Sequence, residues 1–137
     1  MCVLFVVDDD FTYQRIIKLM LAKSPVFKNV VNFAEGNSLL NYLNNNKTDA
    51  TNLPDILFLD LNMPDTDGWA VLNFINKNYY SFIKPIKVYV VTVSIRKVDR
   101  EKALNYTFVY DFISKPLYRD KIISIANSFY QKSQLED

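Results

Sequence analysis

Apolar runs rich in β-branched and aromatic residues alternate five times along this chain with stretches whose apolar residues return every three or four positions. The runs are "VLFVV" (3–7), "VVNF" (30–33), "DILFL" (55–59), "IKVYVVT" (86–92) and "FVYDFI" (108–113). Between them Ile16, Ile17, Met20 and Leu21 form one helical stripe, Leu39, Leu40 and Leu43 a second, and Val71, Leu72, Ile75 and Tyr79 a third. The segment 96–105 sets Arg96, Lys97, Asp99, Arg100, Glu101 and Lys102 against only Val98, Ala103 and Leu104, which predicts an exposed, weakly anchored helix. Ile122, Ile125, Ala126 and Phe129 form the final stripe.

The first, third and fourth runs are almost continuously hydrophobic, as strands become when helices cover both faces of a parallel sheet. Strict alternation of strand and helix then predicts an α/β fold, a doubly wound five-stranded parallel sheet with five helices. The stretch "NNNKTDATN" (44–52) reads as a solvated loop. The last stripe uses the chain almost to its end, so one domain over 1–137 is expected, with no linker or output domain.

Composition narrows the functional classes. The 137 residues are half apolar, enough for one proper core. Sixteen basic and 15 acidic residues are interspersed to a net charge of +1, so no basic stripe points to nucleic acid or a membrane surface. The opening "CVLFVV" is too short for a signal-peptide core or a span and ends at three aspartates. A single cysteine, Cys2, excludes an internal disulfide and fits a reducing, cytoplasmic setting. The chain has no histidine, so imidazole bases and His–metal sites are ruled out within it.

Candidate chemistry gathers where the strands end. Ligands of open α/β sheets bind outside the carboxyl ends of the strands. Asp8, Asp9 and Asp10 follow the first strand, Asp60 the third and Lys115 the fifth, while Thr92 ends the fourth. An aspartate after a strand is often only a helix N-cap, and Asp10 reads as one for a helix starting near Phe11 or Thr12. Chemistry at four strand ends is harder to explain that way. Crowded carboxylates raise one another's pKa unless a cation neutralises them. Mg²⁺ suits such a site, because it takes oxygen ligands and keeps several waters. With no imidazole present, an ionised Asp60 is left as a nucleophile able to form an aspartyl-phosphate, its charge screened by metal and ammonium.

Four segments in register, "VVDDD", "FLDLNMPDTDGW", "VVTVS" and "DFISKPL", resemble the motifs of response regulator receiver domains of two-component signalling. The spacing fits too: Thr92 lies 32 residues after Asp60, and Lys115 lies 23 after Thr92. The resemblance covers essentially the whole chain and implies the flavodoxin-like strand order 2-1-3-4-5. It implies that Asp60 is the phosphoacceptor, loaded from a histidine on a sensor kinase or histidine phosphotransfer protein. Asp8 and Asp9 become the acidic pair, Asp9 and Asp60 ligating Mg²⁺ directly and Asp8 through water, with the backbone carbonyl of Asn62 completing the protein's share. Thr92 and Lys115 would each meet a phosphoryl oxygen, Lys115–Pro116 would be cis, and Phe112 would be the aromatic that turns inward as Thr92 moves. Pro64 and Gly68 read as loop geometry, Asp65 and Asp67 as loop charges or caps. A stand-alone receiver would signal to an unidentified protein target through its fourth-helix, fifth-strand, fifth-helix face, where Tyr106, Tyr110 and Phe112 lie; Phe108 reads as an ordinary strand residue. Val93, where the family usually has a small residue, departs from the pattern and would flank the phosphoryl entrance or merely extend the strand.

Two other classes stay open at this level. A Mg²⁺-dependent phosphohydrolase of the haloacid-dehalogenase type also uses an aspartyl-phosphate, and "DDD" can be read as its Asp-x-Asp motif, although the chain has no region for the usual cap. A receiver-like scaffold that is never phosphorylated is opposed by the intact set Asp60, Thr92 and Lys115.

Overall fold

The computed structural model describes residues 2–22, 24–63, 66–94 and 96–136, with residues 130 and 132–136 by backbone alone. Pro64 and Asp65 lie outside the described residues. Five strands, β1 (Cys2–Val7), β2 (Phe27–Phe33), β3 (Ile56–Leu59), β4 (Lys87–Thr92) and β5 (Val109–Ser114), form one parallel sheet in the order β2-β1-β3-β4-β5. The helices between and after them are α1 (Phe11–Leu21), α2 (Gly36–Asn45), α3 (Gly68–Lys77), α4 (Lys97–Leu104) and α5 (Arg119–Glu136), with a 3-10 turn at Tyr79–Ser81. The predicted α/β architecture and strand order are both observed.

Alternation along the strands builds two hydrophobic layers. Val3, Phe5 and Val7 of β1, with Leu57, Leu59, Val88 and Val90, face Leu39 and Leu43 of α2 and Val71, Leu72 and Ile75 of α3. Cys2, Leu4 and Val6, with Ile56 and Phe58, face Ile17 and Leu21 of α1 and Ile122, Ile125 and Ala126 of α5. β1 and β3 are buried along their whole length, which is why they read as unbroken apolar runs.

Two expectations needed correction. β2 starts three residues earlier than the apolar run, because Cys2 pairs with the buried Phe27 and Val3 with the exposed Asn29 at this edge of the sheet. In α1, Ile16 is 47% exposed, and the buried face is Gln14, Ile17 and Leu21. A glutamine takes the place expected of an isoleucine because its amide has buried carbonyls to serve.

α4 bears out its sequence. Only Ala103 of that helix is buried, while Val98 and Leu104 are exposed. Polar and cationic contacts hold it instead: Arg100 Nη1 donates to the carbonyl of Phe112 at 3.0 Å, and the Lys102 ammonium lies 4.2 Å from the centre of the Trp69 ring. Just beyond the helix, the Tyr106 hydroxyl donates to Asn73 Oδ1 of α3.

Candidate functional site

Strand register brings the candidate residues together. Val7 pairs with Leu59, and the amides of Asp60 and Asp8 continue the ladder past the strands, donating to the carbonyls of Val7 and Phe33 at 3.0 Å each. Asp8 and Asp60 therefore emerge side by side. Thr92 pairs with Ser114, and the Lys115 amide donates to the Thr92 carbonyl at 2.9 Å, which sets Lys115 on the same rim. The Lys115–Pro116 peptide is cis.

Asp8, Asp60 and Thr92 are buried, whereas Asp9 is exposed. Lys115 Nζ lies 2.6 Å from Asp8 Oδ2 and 3.3 Å from Asp60 Oδ2, so one ammonium serves two buried carboxylates. Burial pushes the Asp8 carboxyl above its ordinary value, and the hydrogen bond from Lys115 opposes the shift without cancelling it. Burial alone would lower the Lys115 pKa, but the hydrogen bond to Asp8 and the charges of Asp60 and Asp8 outweigh it and raise the value.

Asp8, Asp9 and Asp60 each offer a carboxylate oxygen, all within 4.8 Å of one another. Three hard oxygen donors facing one ammonium suit a divalent cation such as Mg²⁺ in both ligand type and charge. Asn62, the proposed fourth contributor, is held close: its amide donates to Asp60 Oδ1 at 3.1 Å and its Nδ2 to Thr92 Oγ1 at 3.4 Å.

The loops that carry these groups are pinned. Asp10 caps α1, its carboxylate accepting from the Tyr13 amide at 3.1 Å, as expected of it. Asp67 caps α3 through the Ala70 amide at 2.9 Å. The Gly68 amide donates to the Leu61 carbonyl at 2.9 Å, and α3 begins so close to the end of β3 that a Cβ on Gly68 would stand 2.6 Å from the Asp60 carbonyl oxygen. That close approach is why residue 68 is glycine. Gly36, at the start of α2, meets the other side of the same loop, where its Cβ would lie 2.6 Å from the Thr66 carbonyl oxygen. Asn37 accepts from the Thr66 hydroxyl there.

Two residues of the site escaped the sequence reading. Gln14 is buried, and its Nε2 donates to the carbonyls of Asp8 (2.5 Å) and Phe33 (2.9 Å), tying the acidic loop to the end of β2. Its signal was a polar residue spaced three before Ile17 on the buried face of α1. Tyr13 lies with its ring 4.6 Å from Lys115 Nζ, a contact that spacing alone does not reveal.

The family description "Response regulator receiver domain" matches residues 4–127. The chain belongs to that family. Receiver domains of two-component response regulators are phosphoacceptor signalling modules. The chain is similar to the hybrid signal transduction histidine kinase L of Dictyostelium discoideum, 31% identical over 90% of this chain and 7% of that protein. It is also similar to the DNA-binding transcriptional regulator NtrC of Salmonella typhimurium, 26% identical over 96% of this chain and 26% of that protein. The chain thus spans about a quarter or less of these relatives. Among solved structures, a two-component response regulator from Cytophaga hutchinsonii superposes with a TM-score of 0.82 at 22% identity, covering 94% of this chain and 96% of that one. Among the described residues of this receiver domain, no helix is long and apolar enough to cross a membrane.

Proposed function

We propose that Asp60 is the phosphoacceptor and that it takes its phosphoryl group from a histidine on a sensor kinase or phosphotransfer protein in a Mg²⁺-dependent reaction. The observation that carries this reading is the position of Asp60: a buried carboxylate at a strand tip, 3.3 Å from Lys115 Nζ and grouped with Asp8 and Asp9 within 4.8 Å. In the transfer, an Asp60 oxygen bonds to phosphorus as the phosphorus–nitrogen bond breaks, and the departing imidazole nitrogen keeps the electron pair. Asp9 and Asp60 would hold Mg²⁺ directly, Asp8 through water, with the Asn62 carbonyl as the further ligand. Bound there, the metal would neutralise charge on the phosphoryl oxygens.

The chain's own groups do the rest. Lys115, already drawn between Asp8 and Asp60, meets one phosphoryl oxygen as a fixed cation. The Thr92 hydroxyl, which accepts long contacts of 3.4 Å from Asn62 Nδ2 and the Ser94 amide, donates to another. Phe112 is the coupled aromatic. Its ring is buried, and its carbonyl is held by Arg100, so a shift of Thr92 on β4 reaches α4 through β5. The face made by α4, β5 and α5 then changes for a downstream protein. Tyr110, 46% exposed, belongs to that face, whereas Phe108, in the turn just before β5, is buried. Asp60 is modified rather than turned over, so the module is not an enzyme. The buried, free Cys2 fits a reducing cytoplasm.

The test is incubation with acetyl phosphate and Mg²⁺ followed by intact mass. A labile single-phosphate adduct, absent from Asp60→Asn, is expected. Labelling of the Asp60→Asn variant would falsify the assignment, and steady turnover of many phosphomonoesters would favour a phosphohydrolase.

A further inference from the structure

Among the described residues Lys115 Nζ has three contacts at the rim: Asp8 Oδ2 at 2.6 Å, Asp60 Oδ2 at 3.3 Å and the face of the Tyr13 ring, 4.6 Å to its centre. The first two are carboxylates of the metal-binding group, and a divalent cation among them competes with the ammonium for the same oxygens and repels it. The third contact is different in kind. An aromatic face attracts an ammonium through its quadrupole and has no affinity for phosphate oxygens. It is therefore the anchor that survives loading of the site.

The setting of Tyr13 favours this use of its ring. Its backbone amide is fixed by the Asp10 cap at 3.1 Å, so the residue sits in the first turn of α1, facing the site. The side chain packs against the α1/α5 layer of the core, which limits where the ring can go. Its hydroxyl is buried and has no hydrogen-bond partner among the described residues. A buried hydroxyl without a partner stabilises nothing there, so the ring is the part of Tyr13 that acts on the site.

We propose that Tyr13 is a positioning residue for Lys115, its ring face holding the ammonium within reach of the incoming phosphoryl group while the carboxylates are engaged by a divalent cation. This rests on the reading of Asp60 as acceptor. A desolvated cation–π contact corresponds to about a five- to thirtyfold factor in an equilibrium or rate.

The experiment compares the parent, Tyr13→Phe, Tyr13→Leu and Tyr13→Met. Acetyl phosphate loading is measured by intact mass at saturating Mg²⁺, and Mg²⁺ binding by the shift in melting temperature. Tyr13→Leu and Tyr13→Met should load about five- to thirtyfold more slowly with an unchanged Mg²⁺ response. Tyr13→Phe, which keeps the ring and loses only the unpaired hydroxyl, should load like the parent. NMR supplies a readout independent of loading: with Mg²⁺ present, the Lys115 ε-methylene protons should be ring-current shifted in the parent and Tyr13→Phe, and normal in Tyr13→Leu. Parental loading by both aliphatic variants, a defect in Tyr13→Phe equal to that in Tyr13→Leu, or an absent ring-current shift in the parent would each overturn the proposal. If the parent itself takes up no phosphate, the reading of Asp60 is what fails, and the ring-current measurement still decides the contact. Should Tyr13→Leu fold poorly, Tyr13→Met and the NMR comparison carry the decision.

Discussion

Substituting Gly68 by alanine places one methyl group where the backbone just past β3 already is. The new Cβ would stand 2.6 Å from the Asp60 carbonyl oxygen, 2.6 Å from Leu61 Cα and 3.0 Å from Leu61 Cδ2. Two of these three atoms are backbone, so no rotamer change relieves them. Carbon contacts settle at about 3.5–4.0 Å, so the start of α3 and the Asp60–Leu61 segment must separate by roughly an ångström. Alanine is favoured over glycine in helix interiors by up to about 1 kcal/mol, less at a helix start. Overpacking typically costs about 1–3 kcal/mol. Net destabilisation of about 1–2 kcal/mol is expected. The effect on chemistry should be larger, because the displaced residue is the proposed nucleophile, and about an ångström of misplacement can cost about a hundredfold in rate. Loading with acetyl phosphate at saturating Mg²⁺, followed by intact mass well below the melting temperature, should show a ten- to hundredfold loss for Gly68→Ala. Gly36→Ala presses instead on Thr66, farther along the loop, and should lose less. Parental loading by a Gly68→Ala protein with an unchanged melting temperature would refute the claim that this close approach fixes Asp60.

Three further outcomes are expected. Mg²⁺ should raise the melting temperature of the unphosphorylated protein by mass action, about 2.7 kcal/mol at a hundredfold excess over Kd; Asp9→Ala should abolish the response and Asp8→Ala weaken it less, and an unchanged response in Asp9→Ala counts against its ligand role. Phe112→Ala, which empties a site only 5% exposed, should cost about 3–5 kcal/mol and, in protein that still folds, leave Asp60 labelling intact while blunting any phospho-dependent partner. Normal partner affinity in that folded variant rules out the switch role. Val93 stands 67% exposed just past β4, so it flanks the rim without filling core; Val93→Ala should both load and hydrolyse faster in time courses at saturating Mg²⁺, and equal rates reject the gate.

The sheet was legible because its central strands are buried on both faces, so solvent never interrupts their apolar runs. β2 was legible only in part. Its first residues, Phe27–Asn29, are strand because β1 pairs with them, and pairing with a distant segment leaves no local pattern. Asp8, Asp9, Asp60, Thr92 and Lys115 could be read as one rim because each follows or ends a strand of a parallel sheet, where topology alone puts them together. Gln14 and Tyr13 could not. The role of Gln14 depends on two carbonyls brought together where β1 and β2 end, and that of Tyr13 on the packing that sets its ring beside Lys115. Ile16 was misassigned for the same reason: an apolar residue at helical spacing predicts burial only if the neighbouring face is truly apolar.

The way α4 is attached has a consequence for cooperativity. A helix that buries a single alanine and is held by an arginine–carbonyl bond and a lysine over an indole can come away from the sheet while the two packed layers persist. Its amides should therefore exchange with solvent through a sub-global opening, far below the free energy of complete unfolding, whereas those of β1 and β3 exchange only when the whole domain opens. A protein that binds this face meets a unit already close to detachment. It can select or rebuild the helix by replacing a few polar contacts, leaving the core that holds Asp60 undisturbed.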